Sequence, residues 1–237
     1  MLIIPAIDLL NGQAVRLHQG DYAQKTVYSA DPAALAAGFE KMGARYLHVV
    51  DLDGAKVGSA ANLKAIAAIR ARVETPVQVG GGIRDAATVA RYLEELCIDR
   101  VILGTVAAED PDFLGEMIAR YGSERIVVGV DVRDGEVATA GWLRSSGLDY
   151  LAFIEQLKGL GVRYIVATDI SKDGTLTGPN WEMVEKIEDV NVIVSGGVSC
   201  REDIEKARAY YGVIVGKAYY EGKVDLEACL QRELFPA

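Results

Sequence analysis

Two aspartates, Asp8 and Asp131, each stand at the end of an apolar run and lead into a glycine-containing loop. Pro5, Ala6 and Ile7 precede the first; Val128, Gly129 and Val130 precede the second. A carboxylate in that setting is costly to bury unless it has a partner or a task. An isolated aspartate after a strand usually caps its own loop. A matched pair beside anion-binding loops points instead to acid/base catalysis, the two carboxyls dividing the roles as their surroundings push their pKa values apart. Thr168, beside Asp169, is a candidate hydrogen-bonding partner for a developing charge, although threonine is also an ordinary strand residue.

Glycine loops flank these positions. Gly80, Gly81 and Gly82 follow the run ending at Val79, and Gly104-Thr105 follows the next run. Gly196-Gly197 after Ser195, and Gly216-Lys217 after Val215, repeat the arrangement later in the chain. Glycine lets backbone N–H groups turn toward an anion, with a helix start behind them. Two such loop pairs imply two phosphates held far apart, hence a long substrate phosphorylated at each end. Arg84 and Lys217 are candidates for reaching a phosphate, or for surface charges at helix starts. Trp142 is placed to stack on a planar ring or to pack as a lid. Asp51 and Asp169 form a second matched pair, able to orient hydroxyls or to tie loops. The polar stretch 171–178, with Gly174, reads as an active-site loop, as does Gly20-Asp21-Tyr22.

These residues need a scaffold that brings strand ends together. Short apolar runs recur at Leu2–Asp8, Tyr46–Asp51, Val77–Val79, Val101–Leu103, Ile126–Asp131, Tyr164–Thr168, Val192–Ser195 and Val213–Val215. Such runs suit strands buried on both faces of a parallel sheet. Helical stretches alternate with them: Pro32–Lys41, Ala61–Arg72, Ala86–Glu95, Pro111–Arg120, Asp149–Gly159, Asn180–Ile187, Arg201–Ala209 and Asp225–Gln231. Asp31-Pro32 and Asp110-Pro111 each put a capping residue before a proline at the first helical position. Gly43 and Gly161 suit left-handed helix ends. Eight strands alternating with eight helices predict an α/β fold of the closed (β/α)8, or TIM, barrel type. With no linker or low-complexity segment, residues 1–237 are expected to be one barrel domain.

The chain also echoes itself. Asp8 and Gly12 match Asp131 and Gly135; Gly43, Arg45, Tyr46 and Asp51 match Gly161, Arg163, Tyr164 and Asp169. The glycine loops match in the same order. This predicts two similar half-barrels, so that chemistry at a strand end in one half has a partner across the mouth in the other.

Composition narrows the function. A formal charge of −9 argues against a general nucleic-acid or anionic-membrane surface. Three scattered cysteines and two histidines make a disulfide framework or a zinc site improbable. The opening apolar run is short and contains Asp8, so it reads as a strand, not a signal peptide, and no stretch has membrane-spanning length. A cytoplasmic monomer acting on a small bis-phosphorylated molecule is expected.

Longer motifs resemble a known family. Ile4–Leu9, Gly12, Val15–Leu17 and Gly20-Asp21, with His48–Gly54, Gly80–Arg84, Gly129–Asp131 and Gly141-Trp142, resemble the phosphoribosyl isomerase (ProFAR isomerase) family of histidine biosynthesis. Thr168–Thr175, Ser195–Val198 and Val215–Ala218 extend the likeness to about residue 222. The resemblance implies an Amadori rearrangement without metal or cofactor, on a ribonucleotide joined to a second phosphoribosyl group. It further implies Asp8 as base, Asp131 as acid and Thr168 as their hydrogen-bonding aid. The related cyclase typically has Cys before Leu-Asp in its opening, where this chain has Ala6. A dual-substrate relative, which also isomerises phosphoribosylanthranilate, usually carries arginine two positions before the loop tryptophan. Ala140 stands there and favours single specificity.

Overall fold

The computed structural model describes residues 1–18 and 21–234. Its first strand, β1 (Leu2–Leu10), is buried from Ile3 onward. It is followed by an antiparallel excursion, β2 (Gln13–His18) and β3 (Asp21–Ser29), and then by α1 (Pro32–Lys41). The chain then alternates: β4 (Leu47–Asp51), α2 (Leu52–Val57), α3 (Leu63–Arg72), β5 (Val77–Gly80), and α4 (Ala86–Ala90), which runs on through a π turn over Arg91–Glu95. The first half ends with β6 (Arg100–Leu103), α5 (Thr105–Glu109) and α6 (Pro111–Tyr121).

The second half follows the same plan. β7 (Ile126–Arg133) leads into an antiparallel hairpin, β8 (Glu136–Thr139) and β9 (Arg144–Asp149), and then α7 (Tyr150–Gly159). β10 (Tyr164–Asp169), α8 (Trp181–Val184), β11 (Asn191–Ser195) and α9 (Arg201–Lys206) come next. β12 (Gly212–Val215), α10 (Lys217–Tyr220) and α11 (Leu226–Leu234) complete it.

Among the described residues eight parallel strands form a closed ring, β1-β4-β5-β6-β7-β10-β11-β12, with β12 returning to β1. This is a (β/α)8 barrel of two similar halves. The matched excursions after β1 and β7 display the internal repeat. They also correct the sequence reading, which took both stretches for loops. Alternation within them is weak: Arg144–Asp149 is largely exposed, so no apolar face announces a strand.

Side chains alternate along each strand, which splits the core in two. Leu9, Leu47, Val79, Leu103 and Val128 face the helices and meet Ile66, Ile69 and Met117. Ile4, Ala6, Ile102, Val166, Ile193 and Ile214 face inward and fill the barrel. At its base the Arg100 guanidinium lies 4.3 Å from the Tyr164 ring centre, 5.0 Å from that of Tyr46 and 5.5 Å from that of Tyr211. This aromatic clasp closes the N-terminal end and leaves the C-terminal mouth for ligands.

Several boundaries tighten. The expected helix over 180–187 is only Trp181–Val184, and the one over 61–72 begins at Leu63 because Asn62 is held by its neighbours. The proline starts hold: Asp31 accepts from Ala34 N, and Asp110 from Phe113 N, each at 3.0 Å. Gly43 and Gly161 have φ of 100° and 88°, the left-handed helix exits expected of them.

Candidate active site

Asp8 and Asp131 lie at the mouth on β1 and β7 and line one cavity. Their surroundings differ. β2 pairs with β1 so that Val15 stands opposite Asp8, which brings Arg16 alongside. Arg16 Nη1 donates to Asp8 Oδ2 at 2.7 Å, and Nη2 donates to Asp173 Oδ1 at 2.8 Å. A bound guanidinium thus ties the first strand to the loop after β10. Burial raises the Asp8 pKa, and the neighbouring Arg16 charge opposes that rise.

Asp131 meets donors without a formal charge. The indole Nε1 of Trp142 donates to its Oδ2 at 2.8 Å. Thr168, its register partner on β10, also hydrogen-bonds to it. Burial raises the Asp131 pKa, and these two bonds lower it in part. Trp142 is carried by three successive left-handed residues, Ala140, Gly141 and Trp142, with φ of 55°, 65° and 71°. Two of the three carry a side chain, so the turn stores strain that its surroundings must hold. Ala140 N donates to Thr105 Oγ1 at 2.9 Å, and Arg133 Nη1 donates to Trp142 O at 3.1 Å.

The glycine loops line the same cavity from both halves. Gly81 and Gly82 are sterically required: a Cβ would sit 2.2 Å from Asp51 O and 2.4 Å from Gly54 O respectively. Gly197 is its counterpart against Gly178 O, also 2.4 Å. So part of the glycine signal reflects close backbone packing. Gly104 differs, because a Cβ there meets nothing within 4 Å. Gly104 (φ −103°, ψ −97°) and Gly216 (φ −110°, ψ −103°) share one backbone conformation at the starts of α5 and α10, and neither start has a side-chain cap.

Thr105, Arg84, Gly174, Gly196 and Lys217 also line the cavity. The Arg84 guanidinium lies over Gly58, where a Cβ would approach it to 2.7 Å. Lys217 Nζ donates to Gly174 O at 2.8 Å, holding the 171–178 loop near α10. Asp169 does not line the cavity; it accepts from Ser171 and from Asn180 Nδ2. Its counterpart Asp51 accepts from Gly54 N, Ala61 N, Asn62 N and Asn62 Nδ2. Both members of this pair tie loops together. Gly20 lies outside the described residues.

Sequence reasoning did not single out Arg16, Asp173 or His48 for the site. Arg16 had a signal: a lone cation between Val15 and Leu17, both buried. Asp173 had none within its polar loop. His48 lines the cavity floor, and burial drives its pKa down to about 3, with the Arg16 charge acting in the same direction. Among the described residues, no group of three or more His, Cys, Asp or Glu side chains is gathered as a metal ion requires. No helix there is long and apolar enough to cross a membrane.

The family model described as "Histidine biosynthesis protein" matches residues 2–225. The chain belongs to the histidine biosynthesis protein family. Members similar to it carry one name, 1-(5-phosphoribosyl)-5-((5-phosphoribosylamino)methylideneamino) imidazole-4-carboxamide isomerase. The one from Lactococcus lactis subsp. cremoris (strain SK11) is 56% identical over 96% of this chain and 94% of its own length. That from Listeria monocytogenes serotype 4a (strain HCC23) is 49% identical over 98% of both chains. That from Bacillus cereus (strain B4264) is likewise 49% identical over 98% of both. Within this histidine biosynthesis family the paired aspartates and the paired glycine loops are the features whose chemistry has to be explained.

Proposed function

We propose that this chain is the isomerase that its relatives are named for. It converts the aminoaldose of that bis-phosphorylated ribonucleotide to the aminoketose, an Amadori rearrangement in histidine biosynthesis. The observation that carries the reading is the placement of Asp8 and Asp131 in one cavity, lined from both halves by matched glycine loops. One phosphate is bound by Gly81, Gly82, Gly104 and Thr105, assisted by Arg84. The other is bound by Gly196, Gly197, Gly216 and Lys217. Gly174 and Trp142 cover the substrate between them, with Asp169 shaping the loop beside them.

The two carboxyls suit opposite roles. Asp131, raised by burial and facing neutral donors, is the proton donor to the ribose ring oxygen. Its proton goes to that oxygen as the C1–O bond breaks and the amino nitrogen forms a C1=N bond. Asp8, whose carboxylate form Arg16 favours against the effect of burial, takes the C2 proton. The C2–H electron pair then forms C1=C2, and the C1=N pair returns to nitrogen. Loss of the C2 hydroxyl proton and gain of a proton at C1 complete the ketose. Thr168 steadies Asp131 through this cycle. The steps use no cofactor or metal, and the chain performs them as a monomeric barrel domain, residues 1–237, in the cytoplasm. With Ala140 ahead of Trp142, phosphoribosylanthranilate is a poor alternative substrate.

The test is conversion of ProFAR to its ketose isomer, followed by chromatography on protein purified in chelator. Rapid turnover is expected. Absence of turnover by folded protein with fresh substrate would overturn the reading.

A further inference from the structure

A polar column runs up the inside of the barrel and does not belong to the acid/base pair. His48 on β4, Gln78 on β5 and Arg100 on β6 occupy successive register positions, His48 opposite Gln78 and Gln78 opposite Arg100. Their neighbours Val49, Val79 and Val101 point outward to the helices, so these three point inward. All three are buried, Gln78 fully so. Polar side chains in a barrel interior are costly unless they are used.

Gln78 Nε2 lies 3.0 Å from His48 Nδ1. An amide NH2 only donates, so His48 Nδ1 is the acceptor and carries no proton. The ring proton then sits on Nε2. The opposite arrangement would turn the amide oxygen toward His48 and its NH2 away. It would also turn the amide NH2 toward the side of Arg100, whose guanidinium offers donors alone. Gln78 Oε1 and Arg100 Nη1 are both buried and lack a hydrogen-bond partner among the described residues, a complementary acceptor and donor on adjacent strands. Arg100 itself is clamped by Tyr46, Tyr164 and Tyr211, and it donates to Glu124 O at 2.9 Å and Tyr211 Oη at 3.1 Å.

We propose that Gln78 is a positioning residue for the isomerisation. Its amide, 3.0 Å from His48 Nδ1, fixes His48 as the Nε2–H tautomer, which presents a neutral hydrogen-bond donor to a hydroxyl oxygen of the substrate sugar at the cavity floor. The inference rests on the isomerase reading for its substrate but not for its tautomer. His48 holds its neutral form across the working range, because burial and the Arg16 charge disfavour imidazolium. A neutral donor can bind a sugar oxygen without drawing the substrate's phosphates away from their loops.

Two measurements test it. Nitrogen-15 spectra of the imidazole side chains of the full-length protein should show His48 protonated on Nε2; protonation on Nδ1 would overturn the relay. This readout is independent of any substrate, so it stands even where wild-type ProFAR turnover fails and the isomerase reading falls. In the kinetic arm, Gln78→Leu should mix the His48 tautomers and lower kcat about tenfold, with KM within about twofold. Wild-type kcat in folded Gln78→Leu protein would sink the proposal. Should that variant not fold, His48→Gln and His48→Asn decide. Glutamine places an N–H near the Nε2 position and should retain roughly tenfold more kcat than asparagine, which places it near Nδ1. Equal losses, or the reverse order, would overturn it.

Discussion

Arg16 donates to Asp8 at 2.7 Å, and its second terminal nitrogen donates to Asp173 at 2.8 Å, so one guanidinium spans strand β1 and the loop after β10. Asp131, across the mouth, is held by the Trp142 indole. The half-barrel repeat thus places two aspartates alike, while their partners separate them chemically. Asp8→Asn and Asp131→Asn should each cost on the order of 10²–10⁴ in turnover while substrate binding and fold persist. Steady-state rates with circular dichroism check this. Wild-type-like turnover in either variant would remove that residue from the mechanism.

Stability should move in the other direction at Asp131. Burial raises its folded pKa above the ordinary carboxylate value. Between the unfolded and folded values the native state therefore binds more protons than the unfolded state. Stability from this group is full below the unfolded pKa and is lost as pH rises through the folded pKa. At neutral pH the buried charge is a net cost, so Asp131→Asn should melt higher than wild type, with a gap that narrows toward pH 4. A lower Tm for the variant at pH 7 would contradict the sign.

Trp142→Phe keeps an aromatic ring and removes the N–H that favours ionised Asp131. The Asp131 pKa should rise further, so the alkaline limb of the rate profile, which reports deprotonation of the acid, should shift to higher pH. A hydrogen bond to a charged group is worth about 1.5–3 kcal/mol, so kcat should fall roughly tenfold or more. The profile should show no step from His48, whose pKa is driven to about 3. An unmoved alkaline limb would mean that Asp131 is not the group titrating there.

Two glycine substitutions separate packing from ligand binding. Gly82→Ala forces a Cβ to within 2.4 Å of Gly54 O at φ +74°, and should destabilise by at least about 1–3 kcal/mol. A Cβ at Gly104 meets nothing within 4 Å, so Gly104→Ala should fold without the clash that Gly82→Ala makes. If its opening N–H groups bind phosphate, that methyl should raise KM by about tenfold. An unchanged KM with Gly104→Ala would move the phosphate elsewhere.

The Asp51 pair tests the loop-tying role. Asp51 accepts from three backbone N–H groups and one side-chain amide, and is fully buried. Asp51→Ala strands those donors and should cost roughly 3 kcal/mol or more, read by denaturant unfolding. A loss below about 0.5 kcal/mol would mean that water replaces the carboxylate without penalty.

The barrel was legible in the sequence because buried parallel strands need continuous apolar runs. The eight runs, their glycine exits and the proline starts are all local. So was the repeat, and with it the positions of Asp8, Asp131 and the glycine loops. What only the tertiary structure decided was which groups meet. Arg16 reaches Asp8 through the register of a hairpin whose strands have no clear alternation, and Asp173 joins them from far along the chain. Trp142 meets Asp131 because three left-handed residues turn it inward, a conformation that its flanking types do not demand. Asp169 accepts from Ser171 and Asn180, a tie between loop positions that its place after a strand did not specify. Strand patterns follow from burial along one segment, whereas partner choice follows from distances between segments, which no single stretch of sequence encodes.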